Sequence, residues 1–317
     1  FLCGMHIESF VKPFKKIEIM KTRIFLIAAA TVSFLMSCEK EPANDINLFT
    51  EEEEAVIMED AASDNVIEAM DYEVDFYTSS QDLLDGLTGS KKSTSAAEWR
   101  WRYKNGVGPA ITVDPTGRVY PKTIAIDYGD GLELVNGRII SGKIIINVSA
   151  RPRTNGATRE VSYENFYVDS VNIAGGATRT FTGADSTERV FSNVSDLTLT
   201  FADGSVLYRT SERTRTLAEG FETLFRHSDD VILINGYVNY EAENGATFSK
   251  TIVDPLMKTG ACRFIVQGIV SFTLNGEGFA ELDYGDGTCD DVATITKDDE
   301  TRQITIGKRL RRIWRRG

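Results

Sequence analysis

The chain has 317 residues, is 42% hydrophobic and 26% charged, and carries a formal charge of −12. That is enough apolar material for a sizeable core, while so acidic a chain speaks against a nucleic-acid partner, whose phosphates are bound by Lys and Arg. It contains no P-loop, dinucleotide fingerprint or nucleophile elbow, which leaves nucleotide-dependent and serine-hydrolase chemistry without an anchor.

Met20 reads as the start residue, and residues 1–19 as a non-native leader excluded from fold reasoning together with Cys3 and His6. Lys21 and Arg23 precede an uncharged run of 13 residues, 24–36 (IFLIAAATVSFLM). A bilayer takes about 20 apolar residues, so this run suits the core of a signal peptide. Leu35, Ser37 and Cys38 then resemble a bacterial lipobox, with Met36 departing from its small or branched residue. The resemblance implies a signal peptide over 20–37 and a Cys38 bearing fatty acyl chains, palmitate included, that hold the protein to a membrane at about 0.8 kcal/mol per buried CH₂. Residues 38–49 read as a polar tether, and the acidic residue after Cys38 resembles the export signal of Bacteroides-type lipoproteins. The expected location is the outer membrane, lipid-anchored and facing the cell surface.

With the leader removed, the remaining charge is about −15, and only Cys262 and Cys289 are left as cysteines. An even pair in an exported chain is expected to form a disulfide. It would close a loop worth about 3 kcal/mol on the chain-entropy argument. A zinc site is not expected, because His227 is the only histidine left to help.

Residues 50–97 read as an acidic helical segment with a linker. Thr50 and Glu53 form a capping box, and Glu51 to Glu54 favour the positive helix end. Ala55, Met58, Ala62, Val66, Ala69 and Met70 recur at helical spacing and are expected to pack on the domain. From 98 to 307 the chain reads as strands, branched or alternating, such as KIIINVSA, SDLTLTF and VILINGYVNYEA. Asn136-Gly137, Asn155-Gly156, Asp203-Gly204, Asn244-Gly245 and Asn275-Gly276 punctuate them as tight hairpins. The fold class is therefore mainly β: an antiparallel meander, closing as a sandwich or a distorted barrel, in one domain or two related halves. Residues 308–317 (KRLRRIWRRG) form a basic tail.

The sharpest motif is a repeat: TIAIDYGDG at 123–131 and FAELDYGDG at 279–287, the second followed by TCDD. Asp283, Asp286, Asp290 and Asp291 crowd around Cys289 and are candidate calcium ligands, since calcium takes six to eight oxygens. Their spacing is not that of an EF-hand, and the better reading is a strand end closed by a turn, used twice. A second candidate pairs Asp127 with Asp283 for glycoside hydrolysis, which requires carboxyl groups about 5 to 9 Å apart and hence the two loops to converge.

Taken in order, the lipobox, the acidic helix, IDYGDG, SGKIII, YENFYV, RTRTLAEGF, CRFIVQGIVSFTL and LDYGDGTCDD resemble a family of Bacteroides-type lipoproteins. The resemblance implies a signal peptide, a lipid anchor and a β-rich body, and it carries no activity to transfer. The expected function is that of a lipid-anchored envelope protein, binding or structural, with a glycan or protein as ligand; the alternative is a carboxylate-based hydrolase at the cell surface. Trp99, Trp101, Tyr103, Tyr163, Phe166 and Tyr167 are the candidate aromatics for a glycan platform, most of them expected in the core.

Overall fold

Thr50 opens the long helix. Its Oγ1 accepts the Glu53 amide at 3.1 Å, and Glu53 Oε2 accepts the Thr50 amide at 2.9 Å, the reciprocal capping box anticipated above. Helix α1 (Glu51–Thr78) runs 28 residues without Gly or Pro, and the short α2 (Gln81–Leu87) follows it. The computed structural model describes residues 49–78, 81–89, 99–151, 154–184, 189–220, 222–223 and 227–306. Cys38, the signal segment and the basic tail lie outside the described residues.

After a single-turn helix at Arg100–Arg102 the regular structure of the described residues is sheet, apart from one further helical turn at His227–Asp229. The strands are β1 (Ala110–Asp114), β2 (Lys122–Asp127), β3 (Leu132–Glu133), β4 (Ile139–Val148), β5 (Thr158–Val168), β6 (Val171–Ala184) and β7 (Arg189–Thr200). They continue as β8 (Val206–Glu219), β9 (Val231–Ala242), β10 (Thr247–Thr259), β11 (Ile265–Leu274), β12 (Glu277–Asp286), β13 (Val292–Lys297) and β14 (Glu300–Thr305). Apart from β3, a side pairing on β4, each strand pairs antiparallel with the next along the chain. The meander is as read from the sequence. It closes into neither sandwich nor barrel, because β1 and β14 remain the two edges of one 14-stranded sheet. Both copies of the repeat belong to that sheet. Hairpin chemistry sets the register: Asn275 and Gly276 take φ of 51° and 91° between β11 and β12, as a type I′ turn requires.

The sheet curls around α1. Side chains from β5, β6, β8, β9, β10, β13 and β14 all reach the helix. Two glycines show how the strands bend that far. Gly175 and Gly236 have φ of +99° and +120°, and a Cβ there would stand 2.3 and 2.1 Å from the backbone oxygens of Asp196 and Glu212. Only glycine tolerates both the backbone angle and the approach of the neighbouring strand. Register shifts in β4, β5 and β10 add the local twist that bulges supply.

Alternation puts Ile124, Ile126, Ile144, Ile146, Leu197, Leu199, Val238 and Val270 on the inner face, all nearly inaccessible, against Val56, Ile57, Ile67, Met70, Val74 and Tyr77 of α1. The apolar stripe expected on α1 is half right. Ala55, Val66 and Met70 are buried, but Met58, Ala62 and Ala69 are only half-buried and share one line with Glu54, Asn65, Tyr72 and Asp75. The remaining positions of the helix are mostly buried, so a one-sided amphipathic pattern does not describe it.

Candidate functional site

The inner face is charged. Asp60 sits 2.7 Å from Lys250 Nζ and accepts the Tyr240 hydroxyl at 2.7 Å, while Asp64 shares the same lysine. Glu68 takes Arg215 Nη1 on both carboxylate oxygens at 2.8 Å and Arg213 at 3.0 Å. Asp71 meets Arg179, Arg213 and Arg215; Glu73 meets Arg102 and accepts the Tyr128 hydroxyl at 2.6 Å; Asp75 meets Arg179 at 2.6 Å and Arg159 at 3.3 Å. At the N-terminal end Glu53 pairs with Lys297 and Glu54 with Arg302. At Asp60 burial prevails over Lys250 and pushes the pKa up. At Glu68 the two guanidiniums win against burial and hold it at about 2, and Arg179 does the same in direction for Asp75. Each of these acids faces at least one cation, and together the pairs seat the helix.

The repeated motif is structural in the same sense. Asp127 Oδ1 accepts the Gly129 amide at 2.9 Å, and Asp283 Oδ1 accepts the Gly285 amide at 2.8 Å, the same local turn at two strand ends. Tyr128 and Tyr284, the following residues, are both buried. Tyr128 meets Glu73, whereas Tyr284 lines a small cavity with Asp64. Nine helical residues separate those acids, about 14 Å at 1.5 Å per residue. The loops do not converge, and Asp127 instead stands 3.6 Å from Lys143. Around Cys289, Asp286 Oδ1 accepts both the amide and the hydroxyl of Thr288, Asp290 Oδ1 accepts the Val292 amide, and the Asp291 carbonyl accepts the Ile306 amide. Among the described residues no three such side chains gather as a metal's ligands would.

Cys262 and Cys289 are bonded, with Cα atoms 5.7 Å apart, and tie the β10–β11 turn to the loop after β12. For His227 only the backbone is described. Of the aromatic candidates, Tyr103 and Phe166 are core, Tyr163 stacks on Phe166, and Trp99 donates to the Tyr77 hydroxyl at 2.7 Å. Trp101 and Tyr167 alone are exposed.

An accessible concavity lies on the other side of the sheet. A groove of about 630 Å³ crosses β5 to β9 on the outer face. Strand register builds it from two adjacent rows. One row is Glu160, Thr178, Val194, Glu212 and Tyr237; the other is Gly176, Asp196, Thr210 and Asn239. Alternation makes all of them point outward, because their neighbours Val161, Ser195, Ser211 and Val238 point inward. Gly176 keeps the floor low, since a Cβ there would meet the Val161 carbonyl at 3.0 Å. The Tyr237 hydroxyl hydrogen-bonds Glu212, which raises its pKa, and the ring is 39% exposed. The lining offers three carboxylates, an amide, two threonine hydroxyls and one aromatic face: acceptors and donors at a spacing set by strands about 4.8 Å apart.

Neither Tyr237 nor Asn239 was singled out from the sequence. The signal was present in VILINGYVNYEA, where Asn235, Tyr237, Asn239 and Glu241 alternate with apolar residues, but which face is wet and what lies across from it depend on register. No family model matches the chain, and no curated protein or solved structure is found to be similar to it.

Proposed function

We propose that this chain is a lipid-anchored envelope protein, held to the outer membrane through Cys38, that binds a polyhydroxylated ligand such as a glycan on the outer face of its sheet. The observation that carries this reading is the division of labour between the two faces. Helix α1 takes up the inner face with its acids paired to cations, and the groove over β5–β9 is a large open concavity among the described residues, about 630 Å³ in volume. A sugar presents hydroxyl donors to Glu160, Asp196 and Glu212, takes and gives hydrogen bonds at Asn239, and lays an apolar C–H face on Tyr237. Fixed strands hold these groups without loop ordering, which limits the entropy lost on binding.

A glycan array probed with the full-length protein tests this reading, with Tyr237→Ala and Asp196→Asn as variants. Each substitution lowers affinity for the wild-type ligands about tenfold or more. Array signals that are absent in wild type, or equal in all three proteins, would reject the groove as the binding face.

A further inference from the structure

A second cavity, of about 20 Å³, lies on the helix side, and its lining includes Asn65, Lys258, Arg263 and Tyr284. Its chemistry is the opposite of the groove's. Lys258 Nζ donates to the carbonyls of Thr259 and Cys262, and an ammonium has three donors, so one is left. Arg263 is exposed, with its guanidinium 5.2 Å from the Phe264 ring centre. Among the described residues neither cation forms an ion pair with a carboxylate. Glu68 and Asp64 also line this cavity; Glu68 is held by Arg213 and Arg215, and Asp64 by Lys250 on Oδ2, while its Oδ1 accepts no hydrogen bond and faces Arg209 at 3.6 Å. Arg138, 4% exposed and bonded to Asn65 and Asp169, adds a third positive charge beside Arg263. The Tyr284 hydroxyl, on a residue only 3% exposed, has no hydrogen-bond partner.

We propose that this cavity seats a small oxyanion, the charged oxygens of a phosphate, sulfate or carboxylate group, between Lys258 and Arg263 with the Tyr284 hydroxyl donating to it. A volume of 20 Å³ holds one oxygen of the group, with the rest at the mouth. The anion satisfies the unspent hydroxyl and ammonium donors and offsets cations that crowd one another on a chain that is otherwise strongly acidic. Charge-assisted bonds to Arg and Lys are the strong class of hydrogen bond. The disulfide takes part indirectly, because it fixes the Cys262 carbonyl that aims Lys258.

The groups that face Lys258 are Glu68 from α1, Arg138 from the turn before β4, Arg215 from β8 and Arg263 from its own turn. Burial and the three guanidiniums outweigh Glu68 and bring the Lys258 amine down to about 8. The anion needs the charged amine, so affinity is full below that value and falls as pH rises through it.

The test titrates the full-length protein with inorganic phosphate by calorimetry, and in parallel with phosphatidylcholine vesicles with and without phosphatidylglycerol. Saturable phosphate binding at pH 6.5, weakened about tenfold in Arg263→Gln, in Lys258→Gln and in wild type at pH 9.5, identifies a free anion as the ligand. Binding only to phosphatidylglycerol vesicles, lost in the same variants, identifies a lipid headgroup. Arg263 is exposed, so its variant keeps the wild-type melting point in phosphate-free buffer and serves as the folding control. No binding of either kind at millimolar concentration, or binding that ignores both substitutions, overturns the proposal.

Discussion

Replacing Glu68 by glutamine removes the one carboxylate that both Arg213 and Arg215 contact at 3.0 Å or less. Two independent routes give the size of the effect. Breaking a buried ion pair from one side costs about 3–5 kcal/mol, because the surviving charge is left uncompensated. The carboxyl is also held at about 2 against an ordinary 4.5. At 1.36 kcal/mol per unit, that shift is worth about 3 kcal/mol. The sign follows from the folded value lying below the unfolded one: the stabilisation is complete above pH 4.5 and drains away as pH falls toward 2. Urea unfolding at pH 7 should therefore show Glu68→Gln less stable than wild type by about 3 kcal/mol. At pH 3.5 linkage removes about 1.4 kcal/mol of the wild-type advantage, so the gap narrows to roughly half. A loss under 0.5 kcal/mol at pH 7, or a gap that does not change with pH, would refute the view that the helix is held by paired charge.

Metabolic labelling with a fatty acid in a bacterial host with lipoprotein processing should mark wild type and leave Cys38→Ala unlabelled; equal labelling would dismiss the anchor. Cys262→Ser with Cys289→Ser should cost about 3 kcal/mol, a fall in thermal midpoint of roughly 6–12 °C for a body of this size, read by calorimetry under non-reducing conditions. Gly236→Ala should lose about 2 kcal/mol or more in urea, since its Cβ would stand 2.1 Å from the Glu212 carbonyl. Gly204→Ala, at φ +86° but with nothing within 4 Å, should lose about 1 kcal/mol. Equal losses at the two glycines would dismiss the close approach as the reason for Gly236.

The sequence was most legible where chemistry is local. Thr50 with Glu53, Asn275 with Gly276, and the two leftover cysteines each carry their consequence within a few residues or by simple elimination. The acids of α1 were a different matter. Charged residues are rarely buried unless paired, so nothing near Asp60, Asp64, Glu68 and Asp71 in the sequence marks them as buried. Their partners lie far away: Arg215 is 147 residues from Glu68, and Lys250 is 190 from Asp60. A clue was available in RTSERTR, where Arg209, Arg213 and Arg215 fall on one face of β8 at positions expected to be apolar. The groove is harder still. Its two rows exist only once five strands are in register, and a one-residue slip would turn each strand's contribution inward.

The ion pairs also bear on how the molecule is made. Lys297 and Arg302, which grip Glu53 and Glu54, lie 244 and 248 residues further along the chain. The helix is among the first structured segments to be synthesised, yet it is fully seated only after the last strand joins the sheet. Contacts of such long range make for slow folding. During the interval an acidic segment repels its own copies on neighbouring chains, and strands whose inner faces carry Arg179, Arg209, Arg213, Arg215 and Lys250 resist stacking on one another. The same charges that lock the finished protein thus keep its half-made form apart from itself until the matching partner arrives.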